Sequence, residues 1–84
     1  MAQYVIHVTV MPLEELLDPQ GKAVERGLQA LGLDSATSVR VGKQIRFEVQ
    51  AESDSEAEAM AEQACKALLA NAVMEYYSFR VEAN

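Results

Sequence analysis

The residues able to do chemistry in this sequence are few: one histidine, one cysteine and thirteen carboxylates. His7 stands in YVIHVTV, between Val5 and Thr9 on one face of an alternating run. No second histidine or cysteine lies near it in sequence, so it makes no recognisable metal motif and reads as a structural or interface residue. Cys65 lies in EQACKALL, inside a helical pattern. A reactive thiol needs a base, and usually a helix N-terminus or a strand–turn elbow that lowers its pKa. Neither is visible, and Cys65 reads as a packed, inert thiol. Glu14, Glu15, Glu52, Asp54, Glu56 and Glu58 fall in a loop or at helix starts, where they serve as solvated caps. A glycosidase-type pair of acids would need a cleft that so short a chain does not build. Arg40-Val41-Gly42-Lys43 carries one glycine between two cations, without the glycine-rich run and Lys-Ser/Thr of a P-loop. It reads as a charged hairpin tip that could touch a phosphate or an acidic partner. No catalytic residues and no metal ligands are assigned, and a binding or assembly role follows by elimination.

The bulk properties narrow the setting. Eighty-four residues are expected to form one domain, residues 1–84. A chain of this length buries only roughly 60% of its unfolded surface and gains from self-association. Half the residues are hydrophobic and 24% are charged, which is globular composition and not that of a disordered chain. The formal charge of 7 − 13 = −6 argues against nucleic acid and against an anionic membrane surface, both of which favour a basic footprint. A single cysteine allows no internal disulfide. The opening residues, Met1 to His7, lack a basic segment before the alternating run and do not read as a signal peptide. No apolar stretch approaches a membrane span. A cytoplasmic location is expected.

The elements that must position these residues follow from periodicity. YVIHVTV alternates, with Ile6, Val8 and Val10 on one face, and Pro12 ends the run. Asp18-Pro19 opens a helix as N-cap and first helical residue. Ala23, Val24, Gly27, Leu28 and Leu31 form its apolar stripe, and Gly32 stops it. TSVRVGKQIRFEVQ predicts a hairpin, with Val39 and Val41 inward on one strand and Ile45, Phe47 and Val49 inward on the next. Ser53 and Glu56 form a capping-box pattern for a second helix. Its buried stripe is Ala57, Met60, Ala61, Ala64 and Leu68, and Asn71 ends it in a left-handed conformation. VMEYYSFRVE alternates again as the last strand. The order predicts an α+β fold, a four-stranded antiparallel sheet with both helices on one face, ferredoxin-like β-α-β-β-α-β. Its helix-free face would carry Val5, His7, Thr9, Arg40, Arg46, Glu48, Gln50, Tyr76, Ser78 and Arg80, a mixed surface suited to another chain. RNA readers of this topology place aromatics on the open faces of the first and third strands, whereas here Phe47 faces inward.

Three segments, LLDPQGKAVERGLQALG, SVRVGKQI and CKALLANAVMEYY, in this order and spacing, resemble the PurS family, small subunits of phosphoribosylformylglycinamidine synthase. The resemblance runs from about Val8 to Val81. It implies a non-catalytic subunit that forms a homodimer or higher oligomer and bridges a synthetase subunit to a glutaminase subunit. The glutaminase would release ammonia. The synthetase would use ATP and Mg to convert formylglycinamide ribonucleotide to the amidine, in purine biosynthesis, with no cofactor bound by this chain. It also implies a partner surface at Asp18, Pro19, Gln20 and Gly21, beside Arg40, Gly42 and Lys43, with Asn71 and Tyr76 as further contacts; in so acidic a chain the cations retained on the hairpin and the last strand, Arg40, Lys43 and Arg80, are expected to pair with carboxylates across an interface. The chain departs from the family pattern at Leu13, Glu15 and Ala72, where lysine, glycine and proline are usual. Two other classes stay open: a ligand-sensing domain of the ACT type, which shares the topology, and a small enzyme using His7 or Cys65.

Overall fold

The computed structural model describes residues 2–84, leaving Met1 outside the described residues. Strand β1 (Ala2–Pro12) is followed by helix α1 (Pro19–Ala30), β2 (Lys43–Ala51), helix α2 (Asp54–Ala64) and β3 (Glu75–Ala83). Between α2 and β3, Cys65–Leu69 form one wider helical turn, in which Ala70 N–H donates to the Cys65 carbonyl at 3.1 Å.

The sheet has three strands and not four. Its order is β2–β1–β3, antiparallel throughout, with β1 central. The expected outer hairpin strand is absent. The segment carrying Val39 and Val41 runs irregularly up to Lys43. The cause is local. Ser38 adopts φ 57°, the left-handed region, which interrupts an extended run. The backbone N–H groups of Val39 and Val41, which a ladder would have needed, donate to the carboxylates of Glu25 and Asp18. What remains is a three-stranded antiparallel sheet, and the outer edge of β2 is left unpaired within the chain.

Helix α2 is the one that closes the core. It packs across all three strands. Ala57, Ala61 and Cys65, at i, i+4 and i+8, are fully buried, Ala61 and Cys65 against Ile6, Val8 and Val10, and Ala57 against Tyr4 and Ala51. The stripe is therefore narrower than expected: Cys65 belongs to it, while Met60 and Leu68 face outward. Alanines there let the helix approach the sheet closely, and Ile45, Phe47, Phe79 and Val81 complete the layer. The Tyr77 hydroxyl donates to Glu62 and so ties β3 to α2. That hydrogen bond, followed by burial, pushes the Tyr77 hydroxyl up to about 12.

Helix α1 does not join this layer, contrary to the expected placement of both helices on the sheet. It makes only slight contact with the strands. Val24 and Leu31, expected to be core, are exposed, Leu31 at 78%. The molecule is correspondingly long, 50 × 27 × 14 Å, with a radius of gyration of 16.3 Å. A compact chain of this length would have about 12 Å.

Both helix starts behave as their sequences predict. Asp18 and Ser53 cap them, with Pro19 at the first turn of α1. Glu56 N–H donates to Ser53 Oγ at 3.2 Å, and the Glu56 carboxylate returns to the N–H of Glu52. Gly32 takes φ 97° after α1, the left-handed conformation of a helix stop. Asn71 does not, since Ser38 is the only non-glycine residue with positive φ among the described residues. Its side chain instead accepts from Val73 N–H at 3.0 Å, an Asx turn leading into β3. Val73 and Met74, read from the sequence as strand, belong to this turn.

The packing of Cys65 yields a test. Cys65→Ser places a hydroxyl in an apolar contact, and chemical denaturation should show a loss of about 1–3 kcal/mol. A serine variant as stable as the parent contradicts this packing.

Candidate interaction site

The corner at the mouth of α1 is built around one carboxylate. Asp18 Oδ1 accepts from Gly21 N–H at 3.1 Å, capping the helix. Asp18 Oδ2 accepts from Val41 N–H at 2.8 Å, a contact 23 residues away in the chain. These two hydrogen bonds, Val41 first, hold the Asp18 carboxyl below its ordinary range, and the Arg40 charge adds to them. The Arg40 guanidinium donates to the carbonyls of Leu16, at 2.7 Å, and Glu14, so it clamps the loop that follows β1. Gly21 is buried, and a Cβ there would meet the Val39 carbonyl and the Asp18 carboxylate. Gly42 is equally confined: a Cβ would run into Met11 and the Val10 carbonyl. Both glycines are required by close approach of backbone.

Two clefts flank this corner. One, of about 370 Å³, lies between the loop after β1 and the 38–40 segment, with Lys22, Glu25 and Arg40 on its walls. The other, of about 250 Å³, is lined by Asp18, Gln20, Gly42, Lys43 and Glu75. The structure therefore brings Asp18, Pro19, Gln20, Gly21, Arg40, Gly42 and Lys43 to one end of the molecule. Asn71 joins them through its N–H to the Glu75 carboxylate, 2.8 Å, and Leu13 N–H donates to the Met74 carbonyl at 2.9 Å. Tyr76 stands at the same end of the sheet, opposite Met11 and half-exposed. Arg80 lies apart, at mid-sheet opposite His7. Arg40, expected on the open sheet face, is on the corner instead.

Sequence reading missed Glu25 and Lys22 as parts of this end. Their only signal was the phase of α1, which turns them toward the 38–40 segment once that segment is not a strand. His7 and Cys65 are on opposite faces of the sheet and cannot act on one another. Burial, and next the Glu62 charge, raise the Cys65 thiol above its ordinary pKa, which keeps it protonated and unreactive at neutral pH. The arrangement can present rigid backbone and charge to a partner.

The lowered Asp18 pKa predicts a direction with pH. The corner is favoured by ionised Asp18 and is at full strength above the unfolded value of about 4. It weakens as pH falls through the lower folded value. Asp18→Asn should be less stable than the parent at neutral pH, and the gap should begin to narrow as pH falls below about 4 and close only below the lower folded value. Thermal unfolding of both proteins across pH checks this; an equal gap at neutral and acid pH contradicts it.

Comparison with known proteins agrees with this architecture. Residues 5–83 match the PurS family, phosphoribosylformylglycinamidine (FGAM) synthase. The chain is 42% identical over 78 residues to the PurS subunit of Synechocystis sp., covering 93% of this chain and 76% of that one. It is 35% identical to the PurS subunit of Bacillus subtilis, covering 94% and 93%. Among solved structures, a chain of PurLQS from Thermotoga maritima superposes with a TM-score of 0.87 at 32% identity, covering 96% and 99%. PurS of Thermus thermophilus gives 0.80 at 41% identity, covering 93% and 95%. The chain belongs to the PurS family, the small subunits of phosphoribosylformylglycinamidine synthase.

Proposed function

We propose that this subunit carries no chemistry of its own and joins the ammonia-producing and ammonia-using subunits of the synthase. The observation that carries the reading is the combination of a rigid, charged corner with a helix that its own sheet leaves uncovered. A nucleophile next to a base would argue otherwise, and His7 and Cys65 are separated by the sheet. The likeness to a chain of the Thermotoga maritima PurLQS structure supports a place in such an assembly. In this reading the partners are a synthetase subunit, which uses ATP and Mg, and a glutaminase subunit, and the setting is the cytoplasm. The corner residues Asp18, Pro19, Gln20, Gly21, Gly42 and Lys43 present the contact surface, with Asn71 and Tyr76 beside them. Arg40 serves it by holding the loop in place, and Arg80 acts from the sheet face. The ligand-sensing alternative finds no support among the relatives.

Self-association belongs to the same reading. Val24, Leu31, Leu33 and Leu17 are exposed on or beside α1, and the β2 edge is open. A second copy can cover both, burying apolar surface worth about 25 cal/mol per Å² and completing the missing strand position. Light scattering should find a dimer or larger species. A lone 9.2 kDa particle at micromolar concentration contradicts it.

The coupling role is tested with the two partner subunits, with and without this chain. Glutamine-driven turnover should depend strongly on it. Turnover driven by concentrated ammonium salt should depend on it much less, because free ammonia bypasses the bridge. Equal dependence of both would mean that the chain shapes the synthetase site, and the coupling role would be dropped.

A further inference from the structure

The face of the sheet turned away from α2 is banded by side-chain type. Register places Arg46 and Arg80 on either side of His7 in one row across the strands. On one side of that row Glu48 and Glu82 flank Val5. On the other side Gln44 and Ser78 flank Thr9, and one row further Tyr76 stands beside Met11. Successive rows are about 7 Å apart. Thr9 and Ser78 are short, and the rows on both sides of them carry long side chains. The result is a shallow trough of about 240 Å³, lined by Thr9, Gln44 and Ser78 together with His7, Phe79 and Arg80.

The histidine at its wall lacks what a buried imidazole needs. The His7 side chain is only 14% exposed, and both ring nitrogens are buried without a hydrogen-bond partner. Nε2 stands 3.5 Å from Glu82 as a charge contact only, which leaves Nδ1 with no polar neighbour. A buried polar group of this kind is costly unless something outside the chain satisfies it. The cross-strand neighbours of His7 are weakly held. Arg46 reaches Glu48 at 3.3 Å and Arg80 reaches Glu82 at 3.2 Å, all four side chains being exposed. Such contacts add little stability and are given up at small cost. Thr9, Gln44 and Ser78 are exposed as well. The trough therefore collects two guanidiniums, two hydroxyls, an amide and an unpartnered imidazole, on a chain whose formal charge is −6. Such a set suits an anion with several acceptor oxygens. The glutamates lie on the far side of the arginine row from it.

We propose that this trough binds a phosphoryl group, as inorganic phosphate or a small phosphate monoester. Arg46 and Arg80 hold it from the two outer strands, the Thr9 and Ser78 hydroxyls donate from the floor, and His7 gains its missing partner. The arginine Cα atoms are two strand spacings apart, about 10 Å, a span that two guanidiniums close over a group at the centre. A phosphoryl group offers three terminal oxygens and up to two charges, so both arginines can engage it at once. A single carboxylate offers two oxygens in one plane and one charge, and satisfies one arginine. The trough is several times the volume share of one water, about 30 Å³, so room remains beside the phosphoryl group for a small ester body. The site is separate from the Asp18 corner and from α1, and it does not rest on the bridging role.

Calorimetric titration of the full chain tests it, with inorganic phosphate, ribose 5-phosphate and succinate as probes at about 150 mM salt, where attraction between exposed charges is screened. At least one phosphate should bind saturably with a dissociation constant of about 1 mM or tighter, and succinate should bind roughly tenfold more weakly or not at all. Tighter binding of ribose 5-phosphate assigns the site to a monoester, and tighter or equal binding of inorganic phosphate assigns it to the free ion. In nuclear magnetic resonance spectra the ring signals of His7, the only histidine, should move in step with the amides of Thr9 and Ser78. Arg46→Gln with Arg80→Gln should weaken binding about tenfold or more, and Thr9→Val should weaken it severalfold on an intact strand. Arg26→Gln with Lys66→Gln removes as much charge from exposed positions outside the sheet and should leave binding unchanged. Circular dichroism confirms that the variants are folded. No saturation by either phosphate, succinate binding as tightly, His7 signals that stay still, or affinity that is unchanged in the sheet variants or lost equally in the control each overturn the proposal.

Discussion

The Asp18 carboxylate bonds to backbone at two points far apart in the chain, Gly21 and Val41. Much of the structure is organised around it. One oxygen starts α1 and the other draws the approach to β2 against the helix mouth. With Val41 N–H engaged there, the segment before β2 cannot donate to a sheet from that position. Gly21 and Gly42 allow the backbones to come close enough for this to happen, and Arg40 closes the loop on the other side. The carboxylate thus decides where α1 points and why the sheet stops at three strands.

That arrangement divides the work between the two helices. Helix α2, with alanines and a thiol on its inner face, lies close on the sheet and makes the core of one chain. Helix α1 extends the molecule and keeps its apolar residues outside. A small domain that gives up intramolecular burial in this way leaves apolar surface that gains from association. The same logic applies to the edge of β2, since exposed ladder groups invite another strand.

The relation between the corner and the sheet face also separates two kinds of charge. At the corner, Asp18 and Arg40 are engaged with backbone and act on shape. On the sheet, Arg46, Arg80, Glu48 and Glu82 are held only by weak contacts along their own strands, of a kind that adds little stability in water. Arginines of the second kind are free to turn to another anion at small cost to the fold.

Periodicity and caps were enough to read three strands and two helices, because each depends on neighbours close in sequence. The alternation of β1, the Asp18-Pro19 start, the Gly32 stop and the Ser53 cap are all local facts. Val39 and Val41 misled for the same reason: they alternate as a strand does, and nothing nearby shows that their N–H groups go to Glu25 and Asp18. The stripe on α1 was legible as apolar, but its partner was not, since amphipathicity states which face needs cover and not what supplies it. The resemblance singled out the Asp18–Gly21 and Arg40–Lys43 segments, while only the three-dimensional structure joined them through Val41 and added Lys22, Glu25 and Glu75. The charge bands on the open face likewise exist only in the registered sheet. Arg46, His7 and Arg80 are scattered through the chain, and it is antiparallel pairing with β1 that places them in one row.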